Sequence, residues 1–425
     1  MKTRARRLLP TLASAALFSS CAFAAVCAWR AGAGRLLSKY AGDRISVETA
    51  REAVRISPED PETHSALGLA LYNTKGAGGA LEEFERAAAL RPRDYFLWLQ
   101  LGRARDEAGD AEGAGAALRE AMRLAPFYAE PRWQYGNVLY RRGRTEEAFA
   151  EMRRAAGSNP SLYPAFADLA WGTYGGDARA VESAASPGDA AERLALARLF
   201  ARKGRGAEAL ALFRASGEVG KDDRRALLVE LLRARQFGAA YEVWASGARG
   251  ASGRADAGAG VGAFTEPGFE GRVNTSEAGF GWRQEHELEG VTLSLDAQAA
   301  KSGSRSLLVE WSGHASPGVD VISQLVLVEP GARYRLSFYA RTEGVKTGGP
   351  PLVSVEDASA ADARVLAQSP ALPQGTDGWR EYAAEFNTPA KTEAVLVSLR
   401  RQNCEASPCP MFGRVWLDDF SLRKL

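Results

Sequence analysis

The sequence predicts a multidomain protein, α then β. An N-terminal export or anchor helix comes first, then a right-handed α-solenoid of about six helix pairs, then a C-terminal antiparallel β-sandwich (a jelly roll). Two observations predict it. Pro61–Asp94, Tyr95–Tyr128 and Ala129–Leu162 align end to end at an unbroken period of 34 residues. Beyond Ala263 the apolar residues instead alternate singly with polar ones, which is the period of a strand and not of a helix.

A chain of 425 residues is enough for roughly two to four domains. Hydrophobic content of 46% and charged content of 25% are those of an ordinary folded protein. The net charge is +2, and no basic tract lies outside the extreme N-terminus. A nucleic-acid partner is therefore not expected.

Lys2, Arg4, Arg6 and Arg7 precede an apolar run from Leu8 to Trp29, which has the form of an export signal and the length of a membrane span. Two readings stand. Ala22-Phe23-Ala24 offers a cleavage site, whereas the continuing Ala25–Trp29 suits an uncleaved anchor with an interfacial tryptophan. Residues 1–30 are thus a signal peptide or signal-anchor. The remainder is expected on the periplasmic side of a bacterial envelope, inner-membrane anchored or secreted after cleavage. Cys404 and Cys409 flank a short turn-rich segment, and outside the cytoplasm they are expected to form a disulfide.

Residues 44–247 form the predicted solenoid. In the three aligned repeats Leu67-Gly68, Leu101-Gly102 and Tyr135-Gly136 share one position. Ala80, Ala114 and Ala148 share the next, followed by Phe84, Leu118 and Met152, then Ala87, Ala121 and Ala155, then Pro92, Pro126 and Pro160. A single helix pair cannot bury its apolar face, so such pairs must stack. Small residues let the two helices of a pair approach, and proline ends the second. In this register the sequence resembles the tetratricopeptide repeat, which implies protein-protein interaction and no chemistry. The inner-groove positions of that repeat fall on Phe96, Arg103, Trp133, Asn137 and Tyr140, with Glu62, Ser65, Leu69, Tyr72, Leu99, Asp106 and Glu130 beside them. Packing against a neighbouring helix explains Trp133 as well as a peptide does.

Residues 248–263 are rich in Gly and Ala without apolar period and read as a flexible linker. Strand-like runs follow at Ser306–Ser312, Val319–Val328, Tyr334–Arg341, Leu352–Glu356, Trp379–Phe386, Val395–Leu399 and Val415–Leu422. Turn signals such as Pro330-Gly331 and Gly348-Gly349-Pro350-Pro351 separate them, so a sandwich of eight or so strands is expected over 264–425. Gly268-Phe269-Glu270, Gly281-Trp282, Ser302–Leu307, Pro330–Tyr334, Phe386–Pro389 and the closing Val415–Leu422 occur in the order found in the jelly-roll carbohydrate-binding modules of bacterial glycanases, and the segment resembles them. That resemblance implies polysaccharide binding and a structural calcium held by Glu270 and Asp418 with backbone carbonyls. The alternative is that Asp418 satisfies backbone groups near a strand end.

Sugar recognition needs an aromatic plane with planar amides, guanidinium groups or carboxylates beside it. Strand alternation places Gln324, Tyr339, Arg341 and Glu356 together on one outward surface, where they are either a carbohydrate site or the polar outer face of a sheet. No nucleophile elbow, phosphate loop, HExxH or dinucleotide turn occurs, so an enzyme is not expected. Three readings follow: an envelope scaffold that binds protein partners and glycan, with a link to surface or exopolysaccharide production; a structural assembly protein whose jelly roll binds protein alone; and a glycan-active enzyme.

Overall fold

The computed structural model describes residues 2–44, 46–252, 260–271, 273, 275–284, 288–313, 316–362, 364–404 and 408–425. The chain divides into two compact units, Met1–Gly175 with Ser183–Ala185, and Gly176–Glu182 with Ser186–Leu425. The division falls inside a helix of the repeat region rather than in the Gly/Ala-rich linker, part of which (253–259) lies outside the described residues.

The first unit is built from α1 (Lys2–Arg44), α2 (Val47–Ile56), α3 (Pro61–Lys75), α4 (Ala77–Leu90), α5 (Tyr95–Glu107), α6 (Ala111–Leu124), α7 (Ala129–Arg141), α8 (Thr145–Ser158) and α9 (Tyr163–Thr173). Aspartates start several of them. Asp60, Asp94 and Asp110 each accept a bond from a first-turn amide, which satisfies donors that a helix start leaves open. The repeat register is the core. Ala80, Ala87, Ala114, Ala121, Ala148 and Ala155 are fully buried, with Phe84, Leu118 and Met152 between them. A β-carbon on Gly102 would lie 2.6 Å from Leu118 Cγ, so the glycine is there for close helix approach.

Polar bonds one repeat apart join the first helices of successive pairs. Ser65 donates to Gln100, Tyr72 to Glu107 and Arg141 to Asp106, and the Tyr140 hydroxyl lies 2.9 Å from that of Thr173.

α10 (Ala178–Ala185) contributes to both units. Among the described residues the second unit holds α11 (Ala190–Arg202), α12 (Gly206–Ala215), α13 (Lys221–Arg233), α14 (Phe237–Ser252) and nine strands. The strands are β1 (Val291–Asp296), β2 (Ser306–Ser312), β3 (Asp320–Leu327), β4 (Arg333–Thr347), β5 (Pro351–Asp357), β6 (Arg364–Gln368), β7 (Gly375–Asn387), β8 (Ala394–Arg401) and β9 (Met411–Lys424). They form two antiparallel sheets, ordered β1-β2-β9-β4-β7 and β3-β8-β5-β6. Seven of the nine coincide with expected runs. β1 and β6 are not among them: Val291, Leu293 and Leu295 of β1 do alternate as a strand requires and are missing from the expected runs, whereas β6 is a short edge strand with only Val365 and Leu366 large and apolar. Phe264, Phe269, Trp282, Phe338 and Phe420 stack into one aromatic core between the sheets.

Within this unit α14 touches the jelly roll directly. Phe280 packs its ring edge on Tyr241 at 5.1 Å and lies 5.9 Å from Trp244. Lys221 pairs with Glu277 at 3.1 Å, and Arg235 donates to the Ala361 carbonyl. Gly279 has φ +138, and its missing side chain makes room for the Trp244 indole. The expectation of a domain held only by a flexible linker is therefore corrected, since an aromatic contact bypasses the linker.

Candidate functional sites

The solenoid offers a groove of about 220 Å³, lined by Leu69, Tyr72, Phe84, Phe96, Leu99, Gln100 and Arg103. Leu69 and Phe96 are 42% and 50% exposed, an unusual state for side chains of that size beside one another. Arg103 at its rim is exposed and makes no ion pair among the described residues. Two of the five expected partner residues, Phe96 and Arg103, thus line one cavity. Trp133 and Asn137 are half-buried on α7 and outside it. Tyr140 is taken up by packing: its ring stacks on buried Phe149 at 6.1 Å and its hydroxyl is bonded to Thr173. Leu69, Tyr72 and Leu99, expected at inner-groove positions, line the same cavity, and Phe84 and Gln100 complete it.

The four expected sugar-contacting residues do not share a surface. Gln324 and Glu356 belong to the four-stranded sheet, Tyr339 and Arg341 to the five-stranded one, and the outer faces of the two sheets look in opposite directions. Gln324 is not outward at all. It is fully buried in the parity of Ile322 and Val326, where its amide donates to the Thr265 carbonyl and accepts from the Thr265 amide. The side chain stands in for a strand neighbour, holding the entry of the domain. A shift of register between Asp320 and Ile322 accompanies this.

On the five-stranded face, Arg341 lies 4.7 Å over the Trp416 ring and Lys301 lies 4.8 Å over that of Tyr339. Trp416 is buried beneath, its indole N–H donating to Asp296 at 2.7 Å. That bond holds the Asp296 carboxyl below the usual range. Both aromatic planes are already covered by cations. Trp311 is core, and Trp379 is half-buried on β7.

The four-stranded face is different. Ser323, Ser398 and Ser354 are cross-strand neighbours on β3, β8 and β5. The hydroxyls of Ser354 and Ser398 are buried without a hydrogen-bond partner among the described residues. Arg400 pairs with both Asp320 and Glu356, its Nε lying 2.9 Å from Asp320. A guanidinium fixed between two carboxylates gives planar donors and acceptors of the kind that sugar hydroxyls match, whereas the serine hydroxyls lie beneath it, out of reach of solvent. Asp320 and the serine row escape a sequence reading, because their alignment depends on strand register.

Glu270 accepts from Ser304 and Arg305 amides and from the Ser304 hydroxyl, which lowers its pKa. Asp418 is fully buried and accepts from the Lys301, Ser302 and Asp419 amides, while burial pushes its carboxyl up. Both sit around Gly268 and hold the loop before β2, Asp418 from the middle of β9 and Glu270 from the segment before β1. Among the described residues no third Asp, Glu, His or Cys joins them. Asp418 makes no ion pair among the described residues, and its two oxygens take up three backbone amides, the arrangement expected of a carboxylate that satisfies backbone groups along a strand. Cys404 and Cys409 are paired, with Cα atoms 6.0 Å apart.

Residues 262–406 match the family model for carbohydrate binding domains, which covers less than half of the chain. Over these residues the C-terminal two-sheet domain is similar to carbohydrate binding domains. A curated relative, the peroxisomal targeting signal receptor of Eremothecium gossypii, is 26% identical over 98 residues, covering 23% of this chain and only 17% of the relative. Solved structures with similarity include pilF of Pseudomonas aeruginosa, at 17% identity, 54% of this chain, 95% of that chain and TM-score 0.32. MamA of Desulfovibrio magneticus is 17% identical over 44% of this chain and 98% of its own, at TM-score 0.33. The solenoid of tetratricopeptide type stands on its own 34-residue register. The family model is a binding domain and not an enzyme family. One N-terminal helix has an apolar window, Leu17–Ala41, long enough to cross a membrane.

Proposed function

We propose that this protein is a non-enzymatic scaffold of the bacterial cell envelope, anchored by its N-terminal helix, that holds a protein partner in the solenoid groove and a polysaccharide on its jelly roll. The observation that carries the reading is the match of residues 262–406 to carbohydrate binding domains. The Asp320–Arg400–Glu356 array on the four-stranded face is the glycan contact, and the Leu69–Phe96 groove with Arg103 takes an extended segment of the partner. The proposal extends, by association with that pairing alone, to a role in exopolysaccharide or surface-glycan production. Retention of the detergent-solubilised chain on immobilised polysaccharides, with loss of retention in Glu356→Gln, tests the glycan arm. Release of reducing ends from any of them would instead make the chain a glycan-active enzyme.

A structural calcium held by Glu270 and Asp418 belongs to this proposal. It predicts a calcium-dependent rise in melting temperature that Asp418→Asn abolishes; melting unchanged by calcium and by chelator would remove the ion. A second reading is favoured by one observation. Cations already cover the planes of Trp416 and Tyr339, and Arg400 is doubly paired, so the domain could bind protein only. Failure to bind any glycan, with intact capture of a protein, would select it.

A further inference from the structure

The helix α1 changes character part-way along. From Leu17 to Arg30 every residue is exposed, including Phe18 (77%), Phe23 (72%) and Trp29 (68%). From Ala31 onward burial becomes one-sided, with Gly34, Ser38 and Ala41 buried at helical spacing. Here the helix lies on α2 and the start of α3. Arg30 donates to the Ile56 carbonyl at 2.8 Å and Arg35 pairs with Asp60 at 2.7 Å. Ser38 donates to the Gly34 carbonyl, and Ala41 joins the core of the first pairs. A β-carbon on Gly34 would fall 2.8 Å from Ser57 Cβ.

Gly34 is also 34 residues before Gly68, hence in the register of Gly68, Gly102 and Gly136. The following Ala50, Ala53 and Pro58 precede Phe84, Ala87 and Pro92 by the same interval. The end of α1 is therefore the first helix of a complete repeat, whose second helix is α2.

We infer that one continuous helix is both the membrane span and the first helix of the solenoid, and that the lipid-facing part ends at Trp29. This rests on the anchor reading above and fixes its boundary. The apolar window extends to Ala41, but residues packed on α2 and α3 cannot also face acyl chains. Leu8–Trp29 is 22 residues, about 33 Å of helix, which matches a hydrocarbon core of about 30 Å. Arg30 and Arg35 then stand in water, bonded to the solenoid, and Trp29 meets the interface. With no break between them, the span mounts the first repeat directly on the membrane surface.

The native cysteines make this testable. Cys21 and Cys27 are both exposed on the span. In the full chain with Cys27→Ser, Cys21 should react with a membrane-impermeant maleimide only after detergent is added. Leu36→Cys, at a 70% exposed position of the docked half, should react without detergent, at least about ten-fold faster than Cys21, because maleimide needs a hydrated thiolate. Shielding of both sites would overturn the boundary while leaving the anchor intact. Free reaction of both, or a mature chain lacking residues before Ala25, would overturn the anchor as well. Gly34→Leu gives an independent readout: it should lower the helical melting temperature while the protein stays in the membrane. An unchanged melt would mean that the helix does not dock.

Discussion

Alanine substitution at the repeat glycines probes how closely each helix pair is packed. In α6 and its partner α5 two glycines differ sharply. A β-carbon on Gly102 would meet Leu118 Cγ at 2.6 Å and Cδ2 at 2.8 Å, and Leu118 is itself fully buried. Ordinary carbon contacts lie at about 3.5–4.0 Å, so the leucine or the helix must move by roughly 1 Å. Overpacking of this size costs about 1–3 kcal/mol, against a gain of about 1 kcal/mol from replacing glycine in a helix. Gly102→Ala should therefore lose up to about 2 kcal/mol. Gly115, one helix on, is the control: its β-carbon would find Arg119 and Tyr135 at 3.5 and 3.6 Å, an ordinary contact. Gly115→Ala should gain up to about 1 kcal/mol. The readout is thermal unfolding followed by circular dichroism at the helical band, where 1 kcal/mol shifts the midpoint by about 2–4 °C in a unit of this size. Equal midpoints for the two variants would refute the claim that Gly102 is there for close approach. Gly136→Ala should fall between them, since the obstructing Met152 Cγ belongs to an adaptable side chain.

Further outcomes follow from the other contacts. Gly279→Ala places a β-carbon 2.2 Å from Trp244 Cδ1 at a backbone angle that side chains avoid, so it should loosen α14 from the jelly roll and speed proteolysis between residues 252 and 260; unchanged cleavage would mean that the junction is not a real constraint. Phe96→Ala with Arg103→Ala should weaken capture of a protein partner from native envelope by more than about 2 kcal/mol without lowering helicity, whereas lost helicity would make Phe96 a core residue. Asp296, depressed by its bond from Trp416, contributes stability that is complete above its unfolded pKa near about 3.9 and is lost as pH falls through the lower folded value. Urea unfolding should thus show Asp296→Asn less stable than the parent at neutral pH, with the gap closing in strong acid; a gap independent of pH would assign the effect to packing.

Much of the fold was legible because it is periodic. The 34-residue register identified the alanines and glycines that the structure buries, and β2 falls on the residues where alternation placed it. The first repeat was only half legible: its second helix showed Ala50, Ala53 and Pro58, while its first is hidden in a run of apolar residues that reads as one membrane segment. The groove was legible through Phe96 and Arg103, whose repeat positions face inward. The sugar site was not. Alternation gives two faces for each strand but does not say to which sheet the strand belongs, so Tyr339 and Glu356 were grouped across opposite surfaces. Gln324 was misread because strand parity counted from Leu325 gives the wrong sign when that leucine is the half-buried outward residue. The contact between Trp244 and Phe280 joins residues across a glycine-rich gap, and local pattern carries no signal for it.

The most direct measurement is affinity electrophoresis of the full, detergent-solubilised chain through gels containing acidic or neutral bacterial polysaccharides. The account predicts retardation in at least one gel. It predicts loss of that retardation in Glu356→Gln, which unpairs one side of Arg400, and no loss in Tyr339→Ala on the opposite sheet. Melting curves must show both variants folded. Retardation abolished by Tyr339→Ala but not by Glu356→Gln would move the site to the five-stranded face, and no retardation in any gel would contradict the glycan-binding claim itself.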